Sequence, residues 1–179
     1  EQEEDYGLPD VSDVTGTVYE HCERALDHGL RLGRHGLPLM GTGDWNDGMN
    51  QVGAEGKGES VWNGWFMLAT LREFASLAEQ RRDSARAAWC LDRAEALRGA
   101  LEEHAWDGGW YRRAYFDDGT PLGSAESPAC RIDSLPQSWA VISGAADPER
   151  AAQAMRSVEE QLVDERAAGQ RPSLEDLAE

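Results

Sequence analysis

The chain has 179 residues, of which 40% are hydrophobic and 28% charged, which suits one domain, or part of a larger one, with a core of ordinary size. Its 34 acidic and 17 basic side chains give a formal net charge of -17. This charge argues against nucleic acid and against anionic membrane surfaces, because both attract patches of Lys and Arg.

The first half of the chain predicts a helix followed by a long loop. Residues 1–14 are acidic and predict an extended lead-in. Apolar side chains recur at helical spacing over 15–32, and Gly33 is a natural stop for that helix. Residues 33–58 are rich in glycine and show no periodicity. Because long loops inside compact domains tend to carry function, this segment is the first place to look for a site.

Two further helices and a hairpin are predicted next. Ser60 is a candidate cap for a helix to about Arg82, whose first half is apolar on nearly all sides, as in a buried helix. Asp83 is a candidate cap for another helix, to about His104. Aromatic alternation before an Asp-Gly turn predicts a hairpin within 109–123.

The last predicted elements are a short helix over 132–143 and a helix that opens at Asp147-Pro148 and closes at Gly169. The sequence therefore predicts an all-α chain with one small β-hairpin. Apolar helices that alternate with charged ones suit a two-layered helical barrel or solenoid, and an ordinary bundle is the alternative.

The densest group of polar side chains lies within 41–50. Two carboxylates, two carboxamides and an indole fall in this glycine-rich stretch, in the order Asp44, Trp45, Asn46, Asp47 and Asn50. Carboxylates and amides supply directional hydrogen bonds, and an indole offers a flat apolar face to a sugar ring. The combination is typical of carbohydrate sites.

Other interpretations of this loop fit less well. A calcium loop would need an oxygen ligand at Gly48 and a glycine at Met49, and a phosphate-binding loop would need Gly-Lys-Ser/Thr around Lys57. A turn-rich loop with no ligand stays open as the structural alternative. We expect no metal site.

Several motifs resemble glycoside hydrolase family 94, in the branch of the cyclic β-1,2-glucan synthases and β-1,2-oligoglucan phosphorylases. The motifs are 36–50 with its Asp-Trp-Asn-Asp-Gly core, 58–62, 107–115 and 132–140. The resemblance implies an (α/α)6 barrel, of which the five predicted helices would be only a part. We therefore expect 1–179 to be a single incomplete catalytic-domain fragment of a longer protein.

The resemblance also implies an activity, which is inverting phosphorolysis or chain-length control of β-1,2-glucan giving α-glucose 1-phosphate. The general acid matches Asp47, and Trp45 matches a tryptophan that contacts sugar. Asp44 and Asn46 are expected to set the loop and to hydrogen-bond near the substrate. Inorganic phosphate would be the co-substrate, and no cofactor is expected. An inverting hydrolase on the same barrel and a non-catalytic carbohydrate-binding scaffold remain alternatives.

Three other polar residues have two interpretations each. Arg113 is expected either to face the sugar or to form a surface salt bridge, and Gln137 either to bind substrate or to cap helices. Glu59 is either a second site carboxylate, as a hydrolase would need, or an acid in the first turn of its helix. Ala129 stands where the family pattern carries a carboxylate, so one sugar contact is in question.

The expected partners are a β-glucan oligosaccharide and the rest of the parent polypeptide. No apolar run approaches the roughly 18 residues of a membrane-spanning helix, and no leader is visible. We expect a cytoplasmic segment without direct membrane contact, whose parent is compatible with an anchor in the inner membrane.

Overall fold

The computed structural model describes residues 12–41 and 47–163. Its helices are α1 (Val18–Gly29), α2 (Val61–Gln80), α3 (Ser84–Ala100), α4 (Ser134–Ile142) and α5 (Pro148–Leu162). Its strands are β1 (Glu59–Ser60), β2 (Ala114–Tyr115) and β3 (Pro121–Leu122). The predicted helical class is therefore confirmed, with the addition of a small sheet. None of the described helices is long and apolar enough to cross a membrane.

The helix starts follow from polar side chains that bond the first free backbone N–H groups. The carboxylate of Asp83 accepts from the Arg86 N–H, and that of Asp147 accepts from the Glu149 and Arg150 N–H groups, as the sequence predicts. Ser60 occupies the predicted N-cap position of α2, but its side chain makes no capping hydrogen bond there. The three helices therefore begin within a residue of their predicted starts, two of them with a side-chain cap.

The helix ends depart more from the predictions. Helix α1 ends at Gly29, ahead of Gly33, and α3 ends at Ala100 before a π-helical turn over Leu101–Ala105. Helix α5 ends at Leu162, and Gly169 lies outside the described residues. A sequence marks helix starts more sharply than ends, because C-terminal turns tighten or unwind with the packing around them.

The sheet has the order β1-β2-β3 and is antiparallel throughout. The predicted hairpin corresponds to β2 and β3, whose register pairs Ala114 with Leu122. Strand β1 adds a third member by pairing Ser60 with Ala114. The sheet therefore ties the end of the long loop, just before α2, to the hairpin.

The core lies along α2, which packs against α3, α4 and the π-helical turn. Trp65, Leu68 and Leu71 on α2 are fully buried, and Leu97 on α3 is 1% exposed. The prediction that α2 is buried on most sides is confirmed in its first half. Helices α1 and α5 pack at either side of this core, on α2 and α4 respectively.

Candidate functional site

Only the borders of the predicted catalytic loop belong to the described part of the chain. Asp44, Trp45 and Asn46 lie outside the described residues, and so does the side chain of Asp47, whose backbone begins a short 3-10 turn. The sequence-based roles of these four residues stay predictions. What the structure adds is how the two segments flanking them are held, which we call the entry arm (33–41) and the exit arm (51–58).

The entry arm is held by Glu59. This side chain is only 1% exposed. Its Oε1 accepts hydrogen bonds from the N–H groups of His35 at 3.0 Å and Leu37 at 3.2 Å, and its Oε2 lies 2.5 Å from Nδ1 of His35. A Cβ added to Gly33 would lie 2.5 Å from Glu59 Cδ, so glycine is required at this approach.

Glu59 therefore fits neither sequence-based interpretation as first stated. It precedes α2 and belongs to β1, so the prediction that it is an acid in the first turn of that helix is wrong. Its oxygens are engaged with two backbone N–H groups and an imidazole, which makes it a structural anchor. A carboxylate placed in this way is not free to activate a water molecule.

The imidazole that meets Glu59 is packed between aromatic and polar neighbours. The ring of His35 stacks on Tyr115 at a centroid distance of 4.0 Å, and the ring of His104 lies 5.4 Å away. The Tyr115 hydroxyl donates to the His104 carbonyl and accepts from Nη1 of Arg112. The entry arm is thus linked through His35 to β2 and to the turn after α3.

The exit arm is held by a second carboxylate, that of Asp117 at the hairpin turn. It accepts from the N–H groups of Glu55 and Lys57 at 2.8 Å each, and of Gly58 at 2.9 Å. Partial burial opposes ionisation of Asp117, but the three N–H donors and the nearby Lys57 ammonium outweigh it and lower the pKa of this carboxyl.

The two arms meet on a small apolar cluster. Met40 on the entry arm and Val52 on the exit arm pack with Ala114 of β2. The backbones approach closely here, because a Cβ added to Gly53 would lie 2.6 Å from the carbonyl oxygen of Gly41. The ends of the predicted catalytic loop are therefore brought together and fixed on the sheet.

Arg113 directly precedes Ala114 of this cluster in the chain. It is fully buried, and its Nε lies 3.1 Å from Oδ2 of Asp133. The predicted salt bridge is present, but its predicted surface location is wrong. Arg113 is also tied through its backbone, since its N–H donates to Leu122 and its carbonyl accepts from Val61. Contact between Arg113 and a sugar stays a prediction.

Gln137 is also fully buried, at the start of α4. Its Oε1 accepts from the Tyr111 N–H at 2.8 Å, and its Nε2 donates to the carbonyls of Tyr111 at 2.7 Å and Asp133 at 2.9 Å. These bonds match the structural alternative, in which Gln137 joins a helix end to its surroundings. Its substrate-binding role stays a prediction.

The sequence alone does not identify His35 and Asp117 as residues that shape this region. Asp117 is visible there only as part of a turn motif, and His35 only as one residue of the glycine-rich loop. Their partners lie 24 residues away for His35 and about 60 for Asp117. Such pairs leave no local pattern, so only the fold reveals them.

Two adjoining cavities open beside the exit arm. The larger has a volume of about 540 Å³ and the smaller about 360 Å³, and both are lined by Lys57 and Asp117. The larger is bounded by the hairpin, including Phe116, and the smaller by the entry arm, including Leu39. These volumes lie within the range that small-molecule sites occupy.

Comparisons with known proteins agree on one family. The family model for the glycosyl hydrolase 94 superfamily, catalytic domain, matches residues 5–178. The chain is 54% identical over 164 residues to the cyclic beta-(1,2)-glucan synthase NdvB of Rhizobium meliloti (strain 1021), covering 91% of this chain and 6% of that protein. It is 40% identical over 157 residues to the solabiose phosphorylase of Paenibacillus borealis, covering 87% and 20% respectively. The chain thus spans a fifth or less of these relatives.

A solved structure shares the fold at low sequence identity. The GH78 family rhamnosidase of Bacillus sp. GL1 superposes with a TM-score of 0.63 and 19% identity, over 80% of this chain and 15% of that chain. At this identity the likeness concerns the fold alone.

Proposed function

The chain belongs to the glycosyl hydrolase 94 superfamily, as part of its catalytic domain, and we propose that it forms part of an inverting phosphorylase-type glycosyltransferase that acts on β-1,2-glucan. The family membership and the phosphorylases among the relatives support the reaction class. The 54% identity to a cyclic β-1,2-glucan synthase supports the choice of linkage. The rest of the (α/α)6 barrel would come from the parent polypeptide.

The observation that carries the proposal is the Asp-Trp-Asn-Asp-Gly motif, together with a carboxylate that holds each of the two segments flanking it. Glu59 and Asp117 fix the arms on either side of Asp47 through backbone N–H groups. Catalysis by a placed acid depends on such preorganisation, since small displacements of the acid cost large factors in rate. A scaffold without catalysis would not need this frame around an acid.

In the proposed reaction a phosphate oxygen attacks the anomeric carbon of the glucosyl unit as the glycosidic C–O bond breaks. Asp47 gives its proton to the departing oxygen, and the products are α-glucose 1-phosphate and a shortened glucan. Asp47 then regains a proton from solvent. Trp45 would cover the sugar ring, with Asp44, Asn46 and Arg113 supporting the loop and the substrate.

Glu59 distinguishes this proposal from the hydrolase alternative. An inverting hydrolase needs a second carboxylate that activates water, whereas phosphate brings its own negative charge and needs none. Glu59 was the candidate for that base, and its oxygens are committed to His35 and Leu37. The geometry therefore removes Glu59 as a candidate for that base, and this is the support that it gives to phosphate as the nucleophile.

The test uses Asp47→Asn in the full-length protein, with Asp44→Asn beside it. General acid catalysis contributes about 10²–10⁴-fold, so the release of glucose 1-phosphate from β-1,2-gluco-oligosaccharide and phosphate should fall by that factor in Asp47→Asn, with binding retained. The release of glucose 1-phosphate should fall less in Asp44→Asn than in Asp47→Asn. Full activity of Asp47→Asn would contradict the assignment of Asp47 as the general acid. Sugar release that is independent of phosphate would identify a hydrolase.

A further inference from the structure

The two cavities beside the exit arm form one groove at the tip of the hairpin, which we call the hairpin groove. It runs from the hairpin turn to the entry arm. Its walls are formed by the exit arm, the hairpin turn and the first residues of the entry arm. The side chains that line it include those of Gln51, Glu55, Lys57, Phe116, Asp118 and, on the entry-arm side, Arg34.

The charges of the groove argue against a simple anion or cation site. Over the two cavities the three carboxylates of Glu55, Asp117 and Asp118 outnumber the two cations, Lys57 and Arg34, so an anion such as phosphate would meet a small net repulsion. The carboxylates are also engaged. Asp117 accepts from three backbone N–H groups, Asp118 accepts from the Thr120 N–H at 2.8 Å, and Glu55 lies 3.0 Å from Nζ of Lys57.

The groups of the groove that remain available to a ligand are hydrogen-bond donors and acceptors around the apolar side chain of Phe116. Phe116 is half-buried and lines the cavity with its ring side chain, and Gln51 is exposed with both a donor and an acceptor. The ammonium of Lys57 retains donors beyond the one given to Glu55. Hydroxyl groups can use all of these, and the C–H face of a sugar ring can pack on Phe116.

The groove also lies close to the predicted catalytic loop. Gln51 follows Asp47 by four positions, and the neighbouring Val52 carbonyl accepts from the Asp117 N–H. The groove therefore adjoins the described end of the predicted catalytic loop, and the more distant units of a bound glucan chain are the part of the substrate that it would contact. The volume of about 540 Å³ is of the size that small-molecule sites have.

We propose that the hairpin groove is an accessory binding site for the neutral glucose units of the glucan chain that lie away from the reacting bond. This inference rests on the proposed function for its substrate class. It adds a site to that function, with Gln51, Lys57 and Phe116 as the contacting residues. It predicts that long oligosaccharides are favoured over short ones by contacts outside the reacting bond.

The test compares long and short substrates in the full-length protein. The variants are Gln51→Ala and Phe116→Leu, with Gln80→Ala and Phe66→Leu on the exposed part of α2 as matched controls. The measured quantity is the ratio of kcat/KM for a β-1,2-linked glucose hexasaccharide to that for the disaccharide, at saturating phosphate. Loss of one or two hydrogen bonds or of one ring contact should lower this ratio roughly three- to tenfold.

The outcomes separate this inference from the proposed function. A lowered ratio in the groove variants and an unchanged ratio in the controls would support the accessory site. A ratio equal to wild type in Gln51→Ala, which alters an exposed side chain, would overturn it. If the wild-type protein shows no phosphate-dependent turnover, the proposed function fails. The inference is then decided by calorimetric titration of the hexasaccharide into wild type and Gln51→Ala, where equal affinities would overturn it.

Discussion

Replacement of Glu59 tests whether this carboxylate anchors the entry arm. Glu59→Ala removes the acceptor of two backbone N–H groups, on His35 and Leu37, and the partner of the His35 ring. A buried N–H left without a partner costs about 1–3 kcal/mol, so the two together should cost the entry arm about 2–4 kcal/mol if water satisfies them in part. By the relation of 1.4 kcal/mol to a tenfold change, this cost makes local opening about 30- to 1,000-fold more frequent.

Glu59→Gln should have a smaller effect. The amide oxygen of glutamine can still accept from both backbone N–H groups, and its NH₂ group can donate to the Nδ1 atom of a neutral His35. What this variant loses is the negative charge of the carboxylate beside His35. The comparison of the two variants therefore isolates the role of an acceptor from the role of a charge.

The assay is amide hydrogen exchange followed by mass spectrometry, in the full-length protein, on peptides that cover the entry arm. Exchange reports local opening and does not require that the whole protein unfold in one step. Glu79→Ala, an exposed change on α2, is the matched control. Unchanged exchange of the entry arm in Glu59→Ala would refute the anchoring role.

Two further predictions concern the hairpin. Because hydrogen bonds lower the pKa of Asp117 in the folded state, its contribution to stability is present above the ordinary value of about 3.9 and is lost as pH falls through the lowered pKa. Asp117→Ala should therefore melt below wild type at pH 7, and the difference between the two melting temperatures should shrink as the pH falls below about 3.9 and through the lowered pKa. Gly123→Ala should destabilise the hairpin, because Gly123 has φ +76° and an added Cβ would lie 2.6 Å from the Arg113 nitrogen. A left-handed conformation alone costs a non-glycine residue roughly 1–2 kcal/mol, which should lower the melting temperature of the full-length protein.

Each of these has a matched control. Asp92→Ala changes an exposed acid on α3. The difference between its melting temperature and that of wild type should not vary with pH in the way expected for Asp117→Ala. Gly99→Ala places a Cβ where nothing lies within 4 Å, inside a helix, so it should be neutral or stabilising. If Asp117→Ala melts below wild type by the same amount at every pH, the role given to the Asp117 charge is contradicted. If Gly123→Ala and Gly99→Ala have equal melting temperatures, the requirement for glycine at position 123 is contradicted.

The sequence predicted the helices well because their signals are local. Asp83 and Asp147 mark helix starts by the side chain alone, and the structure places the caps at both. The hairpin was likewise visible from its turn. Strand β1 was not, since two residues are too few to show alternation and its partner Ala114 is distant in sequence.

The packing around the predicted site could not be predicted from the sequence. Glu59 beside Ser60 resembles an ordinary helix start, and only the fold shows that its side chain turns back to His35 and Leu37. Arg113 is a second example, because a hairpin arginine is usually exposed, whereas this one is fully buried with its Nε beside Asp133, the N-cap residue of α4. In both cases long-range packing decides the role that the residue type leaves open.

Two acids of the chain serve as hydrogen-bond acceptors for the backbone of the long loop. In the described parts of 33–58, the N–H groups of His35, Leu37, Glu55, Lys57 and Gly58 find their acceptors on carboxylate side chains. Carboxylates supply two acceptor atoms each, and Glu59 and Asp117 use them on opposite sides of the predicted catalytic loop. A glycine-rich loop loses much conformational freedom on ordering, so anchors at both ends reduce the cost of placing Asp47.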